Sequence, residues 1–268
     1  MLTLLVAACL AFQVTPAAPT THSPTFKVFI LAGQSNMEGQ GVVDLSGPDY
    51  NDGRGTLVAV ANDPDTAALV AHLRNPDKSW KTRDDVFVRY TPEGKPAKTG
   101  PLGFGFTPYL DAHHFGPELQ FGHILGDAID EPILLVKTAW GGKSLYKDFR
   151  PPSSGGETGP YYRRMIDDVR TALARAGDEF PSLKGRAPEL AGVVWYHGWN
   201  DGCEPKRAVP EYEQNLVNLI GDVRRDLGDS PNPGHGHHEF GNAETYFLVG
   251  DALGKAMRAL QQERANPK

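Results

Sequence analysis

Residues 27–40 read KVFILAGQSNMEGQ, and this stretch indicates which fold the chain adopts. The apolar run from Val28 to Leu31 is typical of a strand that is buried on both faces of a parallel sheet. Ala32-Gly33 permits a tight turn, and Ser35 then precedes residues that can begin a helix. A serine at this point lies at the carboxyl end of the sheet, where open α/β folds bind their ligands. Two roles for Ser35 fit this local pattern: a nucleophile whose backbone N–H faces a developing negative charge, or the N-cap of the helix.

Apolar runs that alternate with amphipathic segments continue along the chain and predict a three-layer α/β/α sandwich with a parallel sheet. Strands are predicted at 27–32, 85–90, 132–138 and 192–197, and helices at about 119–129, 161–176, 212–227 and 243–262. The stretches 41–56 and 91–107 are rich in Gly, Pro or Asp, and they are predicted to be loops.

The segment between the last two predicted helices, 228–242, has no apolar run, and Phe240 is its one large apolar residue. A buried strand needs such a run, so the sheet is predicted to hold four main parallel strands and to lack one edge strand. The position beside the last strand would be empty or covered by the final helix. That helix would dock an apolar face made of Tyr246, Phe247, Val249, Leu253 and Met257.

Composition is compatible with one globular domain over 25–268. The chain has 268 residues, of which 40% are hydrophobic and 22% charged. The formal net charge is -6, and basic residues cluster only in pairs such as Arg163-Arg164. Nucleic acid is therefore not an expected partner.

Residues 1–24 are predicted to be a signal peptide and linker. The first 14 residues, MLTLLVAACLAFQV, form an apolar stretch that is too short to span a bilayer, and a Pro-, Ala- and Thr-rich stretch follows. We expect a secreted or periplasmic protein without a stable membrane span, and lipid attachment at Cys9 is an alternative. If this segment is removed, Cys203 is the remaining cysteine and no internal disulfide can form.

The sequence GQSNMEG at 33–39 resembles the first block of the SGNH hydrolases. It is most similar to the sialate O-acetylesterase-like branch, which is grouped with carbohydrate esterase family six. The resemblance extends over nearly all of 25–260 and implies that Ser35 is the nucleophile of a serine esterase.

Two further blocks follow in the order of that family. Gly116 in FGPEL matches a glycine whose N–H helps to form the oxyanion hole, together with the N–H of Ser35. Gly198-Trp199-Asn200-Asp201 matches the third block, in which an asparagine side chain donates to the same oxyanion. The branch more often has a glutamine before this glycine, where the chain has His197, so the resemblance leaves Asn200 and His197 as alternatives. Read without the family, Gly116 is a turn glycine before a helix and Asn200-Asp201 is an Asx-turn.

The base implied by the resemblance is His238. Family members read approximately H-x-x-x-N-A-E-T-Y-F, and His238 stands four residues before Asn242. Family members usually have an aspartate three residues before the base, and this chain has His235 at that position. Either Ser35 and His238 act as a dyad, or Glu244 substitutes for the aspartate; Glu244 is also compatible with a first-turn acid at a helix N-terminus.

The sequence GHGHH at 234–238 is also compatible with a metal site formed by His235, His237 and His238. No cysteine or acidic triad at ligand spacing accompanies these histidines, so no metal and no cofactor is expected for catalysis.

Two other stretches match the branch. KTAWGGKS at 137–144 corresponds to a strand and the following loop that lines the acyl pocket. Arg150 lies in a loop, 147–156, where it contacts either sugar or carboxylate groups, or solvent alone.

Together these features predict a secreted esterase that removes acetyl groups from carbohydrates of the acetylxylan or sialate type. The rival hypotheses are a non-catalytic carbohydrate-binding relative of the same fold and a protein that binds metal through the histidine cluster.

Overall fold

The computed structural model describes residues 24–228, which contain a five-stranded sheet in the order β4-β3-β6-β1-β7. A two-stranded antiparallel sheet pairs β2 with β5. The chain divides into two compact units, Met1–Asp222 and Val223–Lys268. The described part of the second unit is the end of the helix Val209–Leu227. The strands are β1 Thr25–Gly33, β2 Gly41–Val42, β3 Val86–Tyr90, β4 Lys98–Pro101, β5 His114–Phe115, β6 Ile133–Ala139 and β7 Ala187–Tyr196.

The four predicted parallel strands are all present. β1 pairs in parallel with both β6 and β7, and β3 pairs in parallel with β6. Every residue of β3 and of β6 is buried, as the apolar runs predict for strands covered on both faces. β7 begins at Ala187, earlier than predicted, because residues 187–190 also pair with β1.

The fifth strand corrects the prediction that 91–107 is a loop. β4 pairs antiparallel with β3 at the edge of the sheet, with Phe87 opposite Pro101. Its sequence, KTGP, has no apolar residue except proline, so its extended conformation depends on pairing with β3 and has no local hydrophobic signal. The segment 41–56 likewise contains β2 and a 3₁₀ segment. The expectations for 228–242 and for the docked final helix concern residues beyond Gly228, which lie outside the described part.

Helices cover the predicted amphipathic segments. The observed ranges 118–128, 160–179 and 209–227 extend or shift the predicted bounds by a few residues. Between residues 24 and 228, no helix is long and apolar enough to cross a membrane. The helices are α1 Ser35–Glu38, α2 Leu57–Asn62, α3 Ala67–Val70, α4 Glu118–Ala128, α5 Pro160–Glu179, α6 Trp199–Gly202 and α7 Val209–Leu227, with 3₁₀ segments at Pro48–Gly53, Ala71–Leu73, Pro152–Ser154 and Pro181–Leu183.

Alternate residues of β3 show that helices cover both faces of the sheet. Val86 and Val88 belong to a core cluster against which Phe121 and Leu125 of α4 pack. Arg89 points to the opposite face, where it donates to Glu179 at the end of α5. The side-chain period of two along a strand therefore yields the predicted three layers.

The register of the sheet brings the functional segments to one edge. Gly33 at the end of β1 lies opposite Ala139 of β6 on one side and Tyr196 of β7 on the other. The three strands end level, so the turns that follow them, at 34–35, 140–146 and 197–201, start side by side at the carboxyl edge.

Candidate active site

Ser35 is the first residue of α1, and Gln34 occupies the N-cap position. The backbone N–H groups of Met37 and Glu38 donate to the carbonyl of Gln34, so the helix starts without help from the serine hydroxyl. Within residues 24–228, neither the hydroxyl nor the N–H of Ser35 has a hydrogen-bond partner. Ser35 is half-buried at this edge of the sheet, and the arrangement therefore leaves its hydroxyl available for attack.

Gln34 joins the turn after β1 to the turn after β7. Its side chain is fully buried, and its Oε1 accepts the backbone N–H of Gly198 at 3.1 Å and that of Asn200 at 3.3 Å. Gly198 has a φ of 129°, a conformation that favours glycine. The sequence patterns did not single out Gln34, since its partners are more than 160 residues away.

Asn200 and His197 both donate to the carbonyl oxygen of Lys143, Asn200 through Nδ2 at 3.0 Å and His197 through Nε2 at 2.9 Å. The other ring nitrogen of His197 lies 3.2 Å from the hydroxyl of Tyr212. Both nitrogens of this buried imidazole therefore have partners, whereas the amide of Asn200 has a second N–H. Burial lowers the pKa of His197, and the nearby Asp201 carboxylate partly opposes that shift.

Asp201 anchors the loop after β6 from the same turn. Its carboxylate accepts the N–H groups of Leu145 and Tyr146, each at 2.8 Å, and the residue is 1% exposed. The side chains of the third block thus hold residues 143–146, a structural function beyond the predicted Asx-turn.

Gly141 lies beside the nucleophile. A Cβ built on it would be 3.7 Å from Cβ of Ser35 and 2.9 Å from Oε2 of Glu38. The N–H of Trp140 donates to the carbonyl of Gly33 at 3.2 Å, which attaches this loop to the turn before Ser35. The loop of the KTAWGGKS stretch, which the resemblance assigns to the acyl pocket, therefore lies next to Ser35.

Gly116, which the resemblance assigns to the oxyanion hole, has a hydrogen-bond partner for its N–H. Its N–H donates to Oε1 of Glu118 at 2.9 Å, inside the protein. The other carboxylate oxygen, Oε2, accepts from Nζ of Lys137 at 2.7 Å, and both side chains are completely buried. Gly116 packs against Gly39, just after α1, where a Cβ on Gly39 would lie 2.4 Å from Cα of Gly116. The N–H assigned to the oxyanion hole is consequently already bonded.

Arg150 serves its own loop in the structure. Its guanidinium donates to the carbonyls of Tyr146, Ser154 and Gly155 and to the carboxylate of Glu211. Most of its N–H groups therefore bind protein oxygens, and sugar contact is not what positions this side chain.

Two aromatic side chains at the same edge are exposed. Trp199 is 72% exposed and lies between Gly198 and Asn200, whose N–H groups bind Gln34. Tyr196, the last residue of β7, is 49% exposed. The exposed indole of Trp199 is therefore attached to a backbone segment that is hydrogen-bonded to Gln34, the residue before Ser35.

The remaining predicted site residues lie outside 24–228. These are the base His238, the neighbouring His235 and His237, and the acid Glu244; Cys9 is outside as well. No group of three His, Cys, Asp or Glu in the described range is placed to hold a metal ion.

Three solved structures are similar in fold, each with 18% sequence identity. A protein from Arabidopsis thaliana has a TM-score of 0.44, with 76% of this chain and 70% of that chain covered. A carbohydrate acetylesterase from Xanthomonas citri has a TM-score of 0.42, with 75% and 38% covered. NanS has a TM-score of 0.45, with 77% and 63% covered. The chain thus spans less than two thirds of the length of the last two.

No curated protein sequence matches the chain. The sequence profile of the family described as "carbohydrate esterase, sialic acid-specific acetylesterase" (SASA) matches residues 25–233, which is more than half of the chain. The chain therefore belongs to the SASA family of carbohydrate esterases.

Proposed function

We propose that the protein is a carbohydrate O-acetylesterase whose nucleophile is Ser35. The observation that carries this proposal is the placement of Ser35 at the start of α1, with its hydroxyl and its N–H unbonded within residues 24–228. Membership of the SASA family supports the same reaction class.

In the proposed reaction, Oγ of Ser35 attacks the carbonyl carbon of the acetyl ester while His238 accepts the hydroxyl proton. The tetrahedral intermediate collapses, His238 passes that proton to the departing sugar oxygen, and an acetyl-serine remains. Water then attacks the acetyl group while His238 takes one of its protons. The second tetrahedral intermediate collapses as His238 returns that proton to Oγ of Ser35, and acetic acid leaves and ionises to acetate.

For the oxyanion we propose the N–H of Ser35 and the second amide N–H of Asn200 as donors. The alternative donor His197 would have to give up the carbonyl of Lys143, and Gly116 would have to give up the carboxylate of Glu118. Preorganised donors contribute most when they need no rearrangement, which favours Asn200.

Trp199 supports a carbohydrate as the substrate. An exposed indole face packs well against the C–H groups of a sugar ring, since it combines a large apolar surface with few rotatable bonds. Its neighbours Gly198 and Asn200 are held by Gln34, so its backbone is fixed beside the nucleophile turn.

Export is also part of the proposal. Its support is the apolar stretch at 1–14 and the following Pro-, Ala- and Thr-rich residues, a pattern typical of secretory signals.

Replacing Ser35 by alanine tests the central claim. We expect the rate of acetate release from p-nitrophenyl acetate, acetylated xylan and O-acetylated sialic acid to fall by about three orders of magnitude or more. The thermal midpoint should stay unchanged, because the hydroxyl has no partner in the described residues. Ser182→Ala is the matched control, an exposed serine in the connection before β7. Activity of Ser35→Ala above about a tenth of wild type would exclude Ser35 as the nucleophile.

The same assay separates the histidines. His238→Ala should be inactive, whereas His235→Ala and His237→Ala should retain most activity. If His237→Ala is the inactive variant, the base is His237 and not His238. Loss of activity with chelators and recovery with zinc would favour the metal hypothesis, and an inactive wild type that still binds the sugars would favour the non-catalytic one.

A further inference from the structure

Glu38 is a buried carboxylate one helical turn after Ser35 that the proposed reaction does not use. It is 6% exposed, its Oε1 accepts the hydroxyl of Tyr90 at 2.9 Å, and its Oε2 lies against the Gly141 backbone, where a Cβ would be 2.9 Å away. The amine of Lys137 binds the backbone carbonyl of Glu38. One carboxylate oxygen is thus bound by a neutral donor, and the other contacts the Gly141 backbone.

Burial disfavours the charged form of this carboxylate. It raises the pKa of Glu38, against the opposing effects of the Tyr90 hydroxyl, the Gly141 N–H and the charge of Lys137, while the charge of Glu93 adds to the rise. Such a group costs free energy in the interior unless its hydrogen bonds offset the loss of hydration. An apolar side chain would avoid this cost. We therefore expect a role of the carboxylate in its contacts near Ser35.

The loop that Glu38 contacts is attached at four points between residues 139 and 143. The carbonyl of Ala139 accepts the Tyr90 hydroxyl at 3.2 Å, and the N–H of Trp140 donates to Gly33. Gly141 contacts Oε2 of Glu38, and the carbonyl of Lys143 accepts from the turn after β7.

The Gly141 backbone forms the side of the space in front of Ser35. A side chain there would collide with Glu38, since a Cβ would lie 2.9 Å from its Oε2. The distance from that Cβ position to Cβ of Ser35, 3.7 Å, is an ordinary van der Waals contact. The Gly141 peptide is therefore close enough to Ser35 for an acyl group on its Oγ to reach it.

We propose that Glu38 is a positioning residue, which holds the Gly141 peptide as a fixed wall beside the Ser35 hydroxyl and thereby restricts the acyl group to acetyl. This inference rests on the proposed esterase function and adds the acyl-group selectivity of that site. Tyr90 supports the same wall, because its single hydroxyl proton is shared between Oε1 of Glu38 and the carbonyl of Ala139.

Glu38→Gln tests the proposal, because it keeps the shape and removes the charge. Its amide replaces one carboxylate oxygen by an NH2 group, which then faces either the Tyr90 hydroxyl or the Gly141 backbone. We expect kcat/KM for p-nitrophenyl acetate to fall about tenfold or more, with a smaller loss for the butyrate ester, so that acetyl preference decreases. Tyr90→Phe should change this ratio in the same direction.

Glu179→Gln is the matched control. Glu179 is also a largely buried carboxylate, bonded to Arg89 on the opposite face of the sheet. It should lower the thermal midpoint and leave the acetyl-to-butyrate ratio unchanged. Hydrogen exchange at the Gly141 amide gives a second readout, and it should become faster in Glu38→Gln only.

Two results would overturn the inference. If Glu38→Gln changes the acyl ratio no more than Glu179→Gln at a similar loss of stability, Glu38 acts only in folding. If Glu38→Gln is active and hydrogen exchange at its Gly141 amide is unchanged, Glu38 does not position the Gly141 peptide. A wild type that hydrolyses none of the esters would instead contradict the proposed function, and the selectivity with it.

Discussion

Asn200 and His197 donate to the same carbonyl oxygen, that of Lys143, and differ in what they have left to donate. The imidazole has one N–H when neutral, and that N–H is used. The amide has two, so one remains for a ligand. The two residues therefore differ in whether they can donate to an oxyanion while they keep the carbonyl of Lys143.

Asn200→Ala is therefore expected to lower kcat by about 10²–10³ with a smaller change in KM, as for other oxyanion donors. His197→Gln should keep activity within a few-fold, since an amide can still donate to Lys143. Steady-state kinetics on acetyl esters measures both. Asn218→Ala is the control, because the Asn218 amide, on α7, also donates to a protein oxygen, the hydroxyl of Ser154. Equal losses in Asn200→Ala and Asn218→Ala would contradict the donor role.

At the scale of elements, β6 is joined to α1 and α4 through one buried charge. Lys137 donates to the backbone carbonyls of Glu38 and Phe106 and to the Glu118 carboxylate, at 2.6 Å, 2.7 Å and 2.7 Å. Burial lowers the pKa of Lys137, and the negative charge of Glu118 opposes that change. The Glu118 carboxylate and the two carbonyls together accept three hydrogen bonds from the amine, which favours its charged form.

Lys137→Met should destabilise the fold by about 3–5 kcal/mol, because it leaves the Glu118 carboxylate buried without a counter-charge. The double variant Lys137→Met/Glu118→Gln should recover part of that loss, since the amide oxygen still accepts from Gly116. Urea denaturation with a common slope measures the free energies.

Lys27→Met is the matched control on neighbouring β1. Its ion pairs with Glu131 and Glu189 involve carboxylates that are 39% and 53% exposed, so we expect a change below about 1 kcal/mol. A double variant less stable than Lys137→Met would show that the hydrogen bonds, and not the unpaired charge, dominate.

For the whole molecule, His123 in α4 links stability to pH. Burial lowers the pKa of His123 from 6.5 to about 4, and the charge of Arg83 contributes in the same direction. Nε2 of this ring is buried and has no partner among residues 24–228. The folded protein therefore keeps the imidazole neutral where the unfolded chain binds a proton.

The unfolding free energy should consequently fall as the pH is lowered from 6.5 to about 4, because the unfolded state binds more protons in that window. The loss is up to about 3 kcal/mol, from the size of the pKa change. Denaturation series across this range should show a flatter profile for His123→Leu. His113→Leu, at an exposed histidine, is the control and should keep the wild-type slope. An unchanged slope in His123→Leu would assign the effect to other groups.

The sequence alone determined the four parallel strands, the three long helices and the turn that carries Ser35. These features follow from local properties: apolar runs of strand length, a helical spacing of apolar residues, and glycines after the strands. The family blocks added the position of the nucleophile turn relative to the turns after β6 and β7.

Only the tertiary structure decided which polar groups are free at that edge. Strand β4 forms because β3 offers a pairing edge, although KTGP has no apolar signal. The N–H of Gly116 is bonded because Lys137, in a later strand, holds Glu118 beside it. Glu38 was part of the first block, but its contact with Gly141 requires β6 to lie next to β1. Hydrogen bonds between residues far apart in the chain depend on sheet register and burial, and no local pattern of residue types specifies them.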